Sequence, residues 1–127
     1  MKTFPYRKNS TGDSFPVIDL FVSKNNRTTR IFSLVDSGAT ISIFKTEVAS
    51  NLGLTIEQGK EIYLGGVGGH IKGYLHKIKI EVAGKSFICP IVFSREYLVS
   101  FNLLGRQEFF KRFKINFEEA KNFLRLE

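Results

Sequence analysis

The sequence predicts an all-β domain, closed or sandwich-like, with two short helices. Three observations carry this. Short apolar runs recur along the chain, some with clean alternation of polar and apolar residues. Turn signals rich in Asn and Gly separate them. Only two stretches read as helix, and both are short. Many short strands with frequent turns argue for a barrel or a sandwich.

In chain order, residues 1–15 read as a loose polar arm and residues 16–127 as one domain without an internal linker. Residues 16–23 alternate, with Ile18, Leu20 and Val22 on one face and Val17, Asp19 and Phe21 on the other. Lys24-Asn25-Asn26-Arg27 is a hairpin turn, since Asn tolerates positive φ. Residues 30–35 form a second strand that runs into Asp36-Ser37-Gly38. A helix is expected over 46–54, with Thr46 as N-cap and Gly53 as its stop. A strand at 61–64 enters Gly65-Gly66-Val67-Gly68-Gly69. A long strand region at 70–82, broken or bent at Gly73, turns at Ala83-Gly84-Lys85 and returns over 86–93. Residues 101–104 form a short strand ending at Gly105, and a helix over 106–113 follows. Residues 114–117 and 122–126 close the chain as a hairpin.

Composition limits the function classes. The chain has 127 residues, enough for one core, with 43% hydrophobic and 24% charged residues. Phe is abundant at 13 copies, so many should lie in a core or an interface. The net charge of +7 is spread along the chain. Its densest cluster, Lys111-Arg112-Phe113-Lys114, is too small for a nucleic-acid arm, and no nucleic-acid partner is expected. The single cysteine, Cys89, sits in an apolar run and reads as a buried, inert thiol. The polar start shows no secretory leader and no run is long enough to cross a membrane, so a cytoplasmic protein is expected.

One carboxylate stands out among three aspartates. Asp13 lies in the polar arm and Asp19 on a strand face. Asp36 follows the apolar Ile31-Phe32-Ser33-Leu34-Val35. A carboxylate at the buried end of a strand is costly unless hydrogen-bonded or paired. Ser37 offers a hydroxyl, Gly38 a turn without a Cβ, and Ala39 a small side chain. Taken alone, this string reads equally well as an aspartate capping a turn. Two further features shift the balance. Gly65 to Gly69 form a glycine-rich hairpin tip able to bring backbone N–H groups to a ligand. Leu103-Leu104-Gly105-Arg106 places an apolar pair, a glycine and an arginine before a helix. Alternative chemistries fit poorly. The chain has no G-x-S-x-G, no G-x-G-x-x-G and no P-loop. His70 and His76 lack further ligands, so neither a metal nor another cofactor is expected.

The order Asp-Ser-Gly-Ala, glycine-rich flap, Leu-Leu-Gly-Arg resembles the retropepsins, the single-domain aspartic proteases of retroviruses and their cellular and bacterial relatives. A cellular or bacterial member is the expected kind. The resemblance spans roughly residues 16–117 and implies a closed retropepsin-like barrel acting as a C2 homodimer. It assigns Asp36 as the catalytic carboxylate, Ser37 as the hydroxyl that bonds across the dimer, and Gly38 as part of the same catalytic loop. Ala39 and Thr40 would line the cleft beside it. Gly65, Gly66, Val67, Gly68 and Gly69 would form the flap over an extended peptide, with Val67 at the tip. Leu103, Leu104 and Gly105 would cross behind the active-site loop, and Arg106 would be structural. Thr40 departs from the pattern, standing where lentiviral members carry an Asp that pairs with this arginine, so Arg106 needs another partner. The implied activity is an aspartic endopeptidase. The alternative is a non-catalytic module of the same fold that dimerises or binds peptides.

Overall fold

The computed structural model describes residues 1–66 and 69–127. The strands are β1 (Lys2–Pro5), β2 (Arg7–Lys8), β3 (Ser14–Phe15), β4 (Val17–Lys24), β5 (Arg27–Val35) and β6 (Ser42–Phe44). After the helix α1 (Thr46–Asn51) come β7 (Lys60–Gly66), β8 (Gly69–Val82), β9 (Lys85–Phe93), β10 (Asn102–Leu104), β11 (Ile115–Glu118) and β12 (Phe123–Leu126).

Seven strands form one sheet in the order β4-β5-β10-β6-β9-β8-β7. β4 also pairs with β8, through Phe21↔Glu81 to Ser23↔Lys79, and this closes the sheet on itself. The expected closed all-β architecture is therefore present. Its interior follows the strand period of two. Ile18, Leu20 and Val22 of β4 are at most 2% exposed, as are Ile78 and Ile80 of β8 and Cys89 and Ile91 of β9. Phe44 and Phe93 meet edge to face at 6.4 Å in the same core. The tight turns form where the sequence permits left-handed backbone. Asn25 and Asn26 have φ of 53° and 62° between β4 and β5, and Ala83 and Gly84 have 49° and 79° between β8 and β9.

Four local expectations are corrected. The first fifteen residues are not loose. β1 pairs with β12, and β2 with β3. Phe4 and Tyr6 are buried, and the Tyr6 hydroxyl donates to Glu119 at 2.9 Å. Polar neighbours masked this short period-two signal. The first helix stops at Asn51. Lys45 holds the N-cap position without a side-chain bond, so Thr46 is the first helical residue and not the cap. Leu52 caps its C-terminus and Gly53, at φ 67°, turns the chain away. The second helix does not form. Glu108 takes φ 65°, which interrupts helical propagation, and only a 3-10 turn at Phe110–Arg112 remains. That backbone lets Phe109 bury completely while Glu108 reaches Lys111 and Arg112 at 2.8 Å each. Finally, β8 runs through Gly73 without a break. Gly73 is needed for space, since a Cβ there would lie 2.5 Å from Val92 Cγ1.

A second, smaller sheet joins the chain ends in the order β1-β12-β11. No helix among the described residues is long and apolar enough to cross a membrane.

Candidate active site

Asp36 sits where β5 ends. β5 lies between β4 and β10, with Leu34 opposite both Val17 and Leu103. The chain is held at that point from three sides. The Val35 N–H donates to Pro16 O at 2.9 Å, and the Asp36 N–H donates to Leu104 O at 3.0 Å. The Gly38 N–H donates to Asp36 Oδ1 at 2.9 Å. Beyond the carboxylate, the Ala39 N–H returns to Asp36 O at 3.3 Å, closing a tight turn. Asp36 itself is half-buried, whereas Ser37 and Gly38 are exposed. The carboxylate therefore has one oxygen fixed by backbone and stands at the lip of the barrel beside the exposed Ser37.

The Leu103-Leu104-Gly105-Arg106 segment supports this loop directly. Leu104 is fully buried. The backbone N–H of Arg106 donates to Ala39 O, and that of Gln107 to Thr40 O, both at 2.9 Å. Gly105 lies so close to the loop that an added Cβ would meet Ile41 O at 2.5 Å and Ala39 O at 2.9 Å. Glycine is required there by contact with backbone that cannot move aside. Arg106 finds its partner in the substituted position: its Nη2 donates to Thr40 Oγ1 at 3.3 Å. A long bond from an exposed guanidinium to a neutral hydroxyl is weaker than an ion pair. The backbone bonds, not the arginine side chain, hold the two segments together.

Three supporting residues escaped the sequence reading. Ser42 is fully buried, and its Oγ accepts the Gly105 N–H at 2.9 Å. Asn102 is 7% exposed; its amide donates to Phe32 O at 2.8 Å and its carbonyl oxygen accepts the Lys45 N–H at 2.7 Å. Both are polar residues inside apolar runs, and that was the available signal, since buried polar groups are kept where they are bonded. Tyr97 had no such signal. Its hydroxyl donates to Phe101 O at 2.7 Å. Burial, and secondarily the negative charge of Asp36, push its phenol up to about 12. The 95–101 loop thus stands within electrostatic reach of the carboxylate.

The flap is the hairpin of β7 and β8, paired from Lys60↔Leu75 to Gly66↔Gly69. Gly65, Gly66 and Gly69 are exposed at its far end. Val67 and Gly68, expected at the tip, lie outside the described residues. The middle of the hairpin, at Lys72, is tied to the 94–97 segment. The Lys72 N–H donates to Glu96 Oε2 at 2.9 Å, Ser94 Oγ donates to Lys72 O, and the Glu96 N–H donates to Ser94 Oγ at 3.1 Å. His70, at the outer end of the hairpin, is exposed.

Beside Leu34 a cavity of about 400 Å³ is lined by Phe15, Val17, Leu34 and Phe101, with Arg7 and Lys8 at its rim. Leu98 and Val99 next to it are exposed. Among the described residues, no group of His, Cys, Asp or Glu is arranged to hold a metal ion. Cys89 is buried and its thiol is pushed up to about 12, first by burial and then by the charge of Glu108.

A closed barrel with one Asp-Ser-Gly turn at a strand end, backed by a Gly-Arg segment and carrying a glycine-rich hairpin, defines an aspartic protease fold. The chain matches the aspartyl protease family over residues 22–107, more than half its length, and belongs to that family. Among solved structures it is similar to a retropepsin-like aspartic protease from Rickettsia conorii. That match has 22% identity and a TM-score of 0.73, covering 98% of this chain and 89% of the other. It is also similar to EIAV protease, solved with the inhibitor HBY-793, at 20% identity and a TM-score of 0.59, covering 77% of this chain and 88% of the other. Comparison with curated protein sequences finds no match. The fold is retropepsin-like.

Proposed function

We propose that the chain is an aspartic endopeptidase whose catalytic dyad pairs Asp36 with Asp36 of a second copy. The observation that carries this is the fixed carboxylate: Asp36 held by the Gly38 N–H and by Leu104 O, at the lip of the barrel. One chain offers one such group, and water-mediated peptide hydrolysis needs two. A C2 homodimer brings both together. Two facing carboxylates about 3 Å apart do not both ionise readily, so the pair shares one proton. The ionised carboxylate takes a proton from water as it attacks the scissile carbonyl. The protonated carboxyl donates to the carbonyl oxygen. The tetrahedral intermediate then collapses with proton transfer to the leaving nitrogen. Ser37 bridges the two loops beneath the carboxylates, with Gly38, Ala39 and Thr40 lining the cleft. Gly65 to Gly69, with Val67 at the tip, close over the substrate and exclude water.

The substrate is a peptide in extended form, bound by strand-like backbone bonds. The apolar cavity beside Leu34, with Phe15, Val17 and Phe101, supports apolar side chains near the cut. Residues 16–127 are proposed as the protease domain.

The test is cleavage of a mixed peptide library by wild type and by Asp36→Asn. Loss of the general base lowers the rate by about 10²–10⁴-fold, with a melting temperature close to that of wild type. Equal cleavage by the two proteins overturns the proposal.

A further inference from the structure

Two cations stand beside the proposed cleft without an ion pair among the described residues, Arg7 and Lys8. Both belong to the hairpin of β2 and β3. It lies ahead of residues 22–107, the stretch that matches the family, so its role does not follow from that match. Extending the β4–β5 register beyond Val17↔Leu34 sets Phe15 level with Asp36. Arg7 is opposite Phe15 in the hairpin. The hairpin thus runs alongside the Asp36 loop and walls the cavity beside Leu34, with Arg7 and Lys8 at the rim.

Arg7 is held in place with its donors unspent. Its guanidinium lies over the Phe32 ring, 4.1 Å from the centroid. Among the described residues it makes no hydrogen bond and no ion pair, unlike those of Arg30, Arg95 and Arg112. Asp19, the carboxylate on that side, is already bonded to Arg30 at 3.0 Å. Stacking on a ring fixes the plane of the guanidinium and leaves its N–H edge open to a carboxylate. The surroundings do not compete for it. Among the described residues, the two cavities that share Phe101 are lined by one carboxylate, Glu47, and Lys45 holds it at 2.8 Å.

We propose that Arg7 selects peptides carrying an acidic side chain two residues further from the cut than the apolar side chain that fills the cavity. This rests on the reading of the chain as a protease acting at Asp36. The spacing comes from β5. Ser33 and Val35 are buried, so Phe32, Leu34 and Asp36 share the opposite face. Leu34 and the Phe32 that carries Arg7 are two residues apart on the strand, about 6.7 Å. Alternate side chains of an extended peptide face the same way at the same spacing. A peptide with its scissile bond at Asp36 and an apolar side chain at Leu34 therefore brings its next side chain on that face to Arg7. A glutamate there accepts two parallel N–H bonds from the planar guanidinium. Lys8 adds positive charge at the rim without that fork. A Lys or Arg at the same peptide position meets like charge and is disfavoured.

The test uses peptide libraries with a central Phe-Leu pair, carrying either Glu or Gln at one fixed position and randomised elsewhere, with cleavage read by mass spectrometry. At the position facing Arg7, wild type should cleave the Glu members about tenfold faster than the Gln members, as for a hydrogen-bonded charge. Arg7→Gln should bring that ratio to about one. Arg7→Glu should invert it, so that Lys is cut faster than Glu, an outcome that lost packing on Phe32 alone does not give. Fluorescein-labelled members of each pair, titrated by anisotropy on Asp36→Asn protein, should show the same preference in binding. A Glu-to-Gln ratio near one in wild type, or one that Arg7→Gln leaves in place, overturns the inference. Cleavage without charge preference rejects this site and leaves the Asp36 reading standing. Charge-selective binding that Arg7→Gln abolishes, in a protein that cleaves nothing, keeps the site and rejects the catalytic reading.

Discussion

The Asp36 loop and the glycine-rich hairpin, the two walls of the proposed cleft, are built on opposite principles. The Asp36 loop is fixed by backbone bonds to Pro16, Leu104, Arg106 and Gln107, with Gly105 pressed against it and Ser42 bonded beneath. The flap is tied from its midpoint inward, through the Lys72 bonds to Ser94 and Glu96 and the β8–β9 ladder that begins at Tyr74, and its outer end is exposed glycine. On the proposed reading the carboxylate has to keep its place, and the flap has to move to admit a peptide. Glycine serves both walls for different reasons. Gly105 leaves room for backbone, while at Gly66 none of the described residues beyond its chain neighbours lies within 4 Å of where a Cβ would stand.

The sharpest way to break this contrast is one substitution in each wall. Gly105→Ala forces the loop and the strand apart and should destabilise the protein by about 3 kcal/mol, with activity lost even where it folds. Gly66→Ala should change stability by no more than about 0.5 kcal/mol, its effect confined to kcat and KM. Chemical denaturation and steady-state cleavage of the pair give both numbers. Equal destabilisation would mean the two walls are not different in kind.

Next in size is Ser42→Ala, which leaves the Gly105 N–H buried without a partner and should cost about 1–3 kcal/mol. Glu96→Gln sharpens the other side. It weakens the bond at the flap's midpoint and should raise hydrogen exchange of the Lys72 amide several-fold, with global stability within about 0.5 kcal/mol of wild type.

The smallest effect lies away from the cleft and depends on pH. Burial first, then the bond and charge of Glu119, push the Tyr6 phenol up to about 12. The folded state thus favours the neutral phenol. That contribution is intact below the unfolded value of about 10 and is lost as pH rises through about 12. Cys89 and Tyr97 shift in the same direction. Thermal melts should therefore decline across this alkaline range, and Tyr6→Phe should decline less steeply than wild type.

The barrel was legible in the sequence because its strands alternate and its turns carry Asn-Asn or Ala-Gly. The candidate site was read from short motifs around Asp36, Gly65 and Gly105. What could not be read depends on contacts between distant segments. Phe4 and Tyr6 became core only because β12 lies beside them. The 106–113 helix failed because burying Phe109 and pairing Glu108 favour a left-handed turn that local propensity opposes. Tyr97 joins the site through a loop with no periodic signal at all. The Arg106–Thr40 bond answers a question the sequence could only pose.

The central claim is that each of two chains supplies one carboxylate. Its most direct test is to titrate wild-type enzyme with Asp36→Asn protein under conditions where chains exchange. If the dyad spans two copies, cleavage per wild-type chain falls in proportion to the wild-type fraction, since mixed dimers carry a single working carboxylate. Cleavage that stays constant as Asp36→Asn protein is added would show that one chain suffices, and would contradict the account.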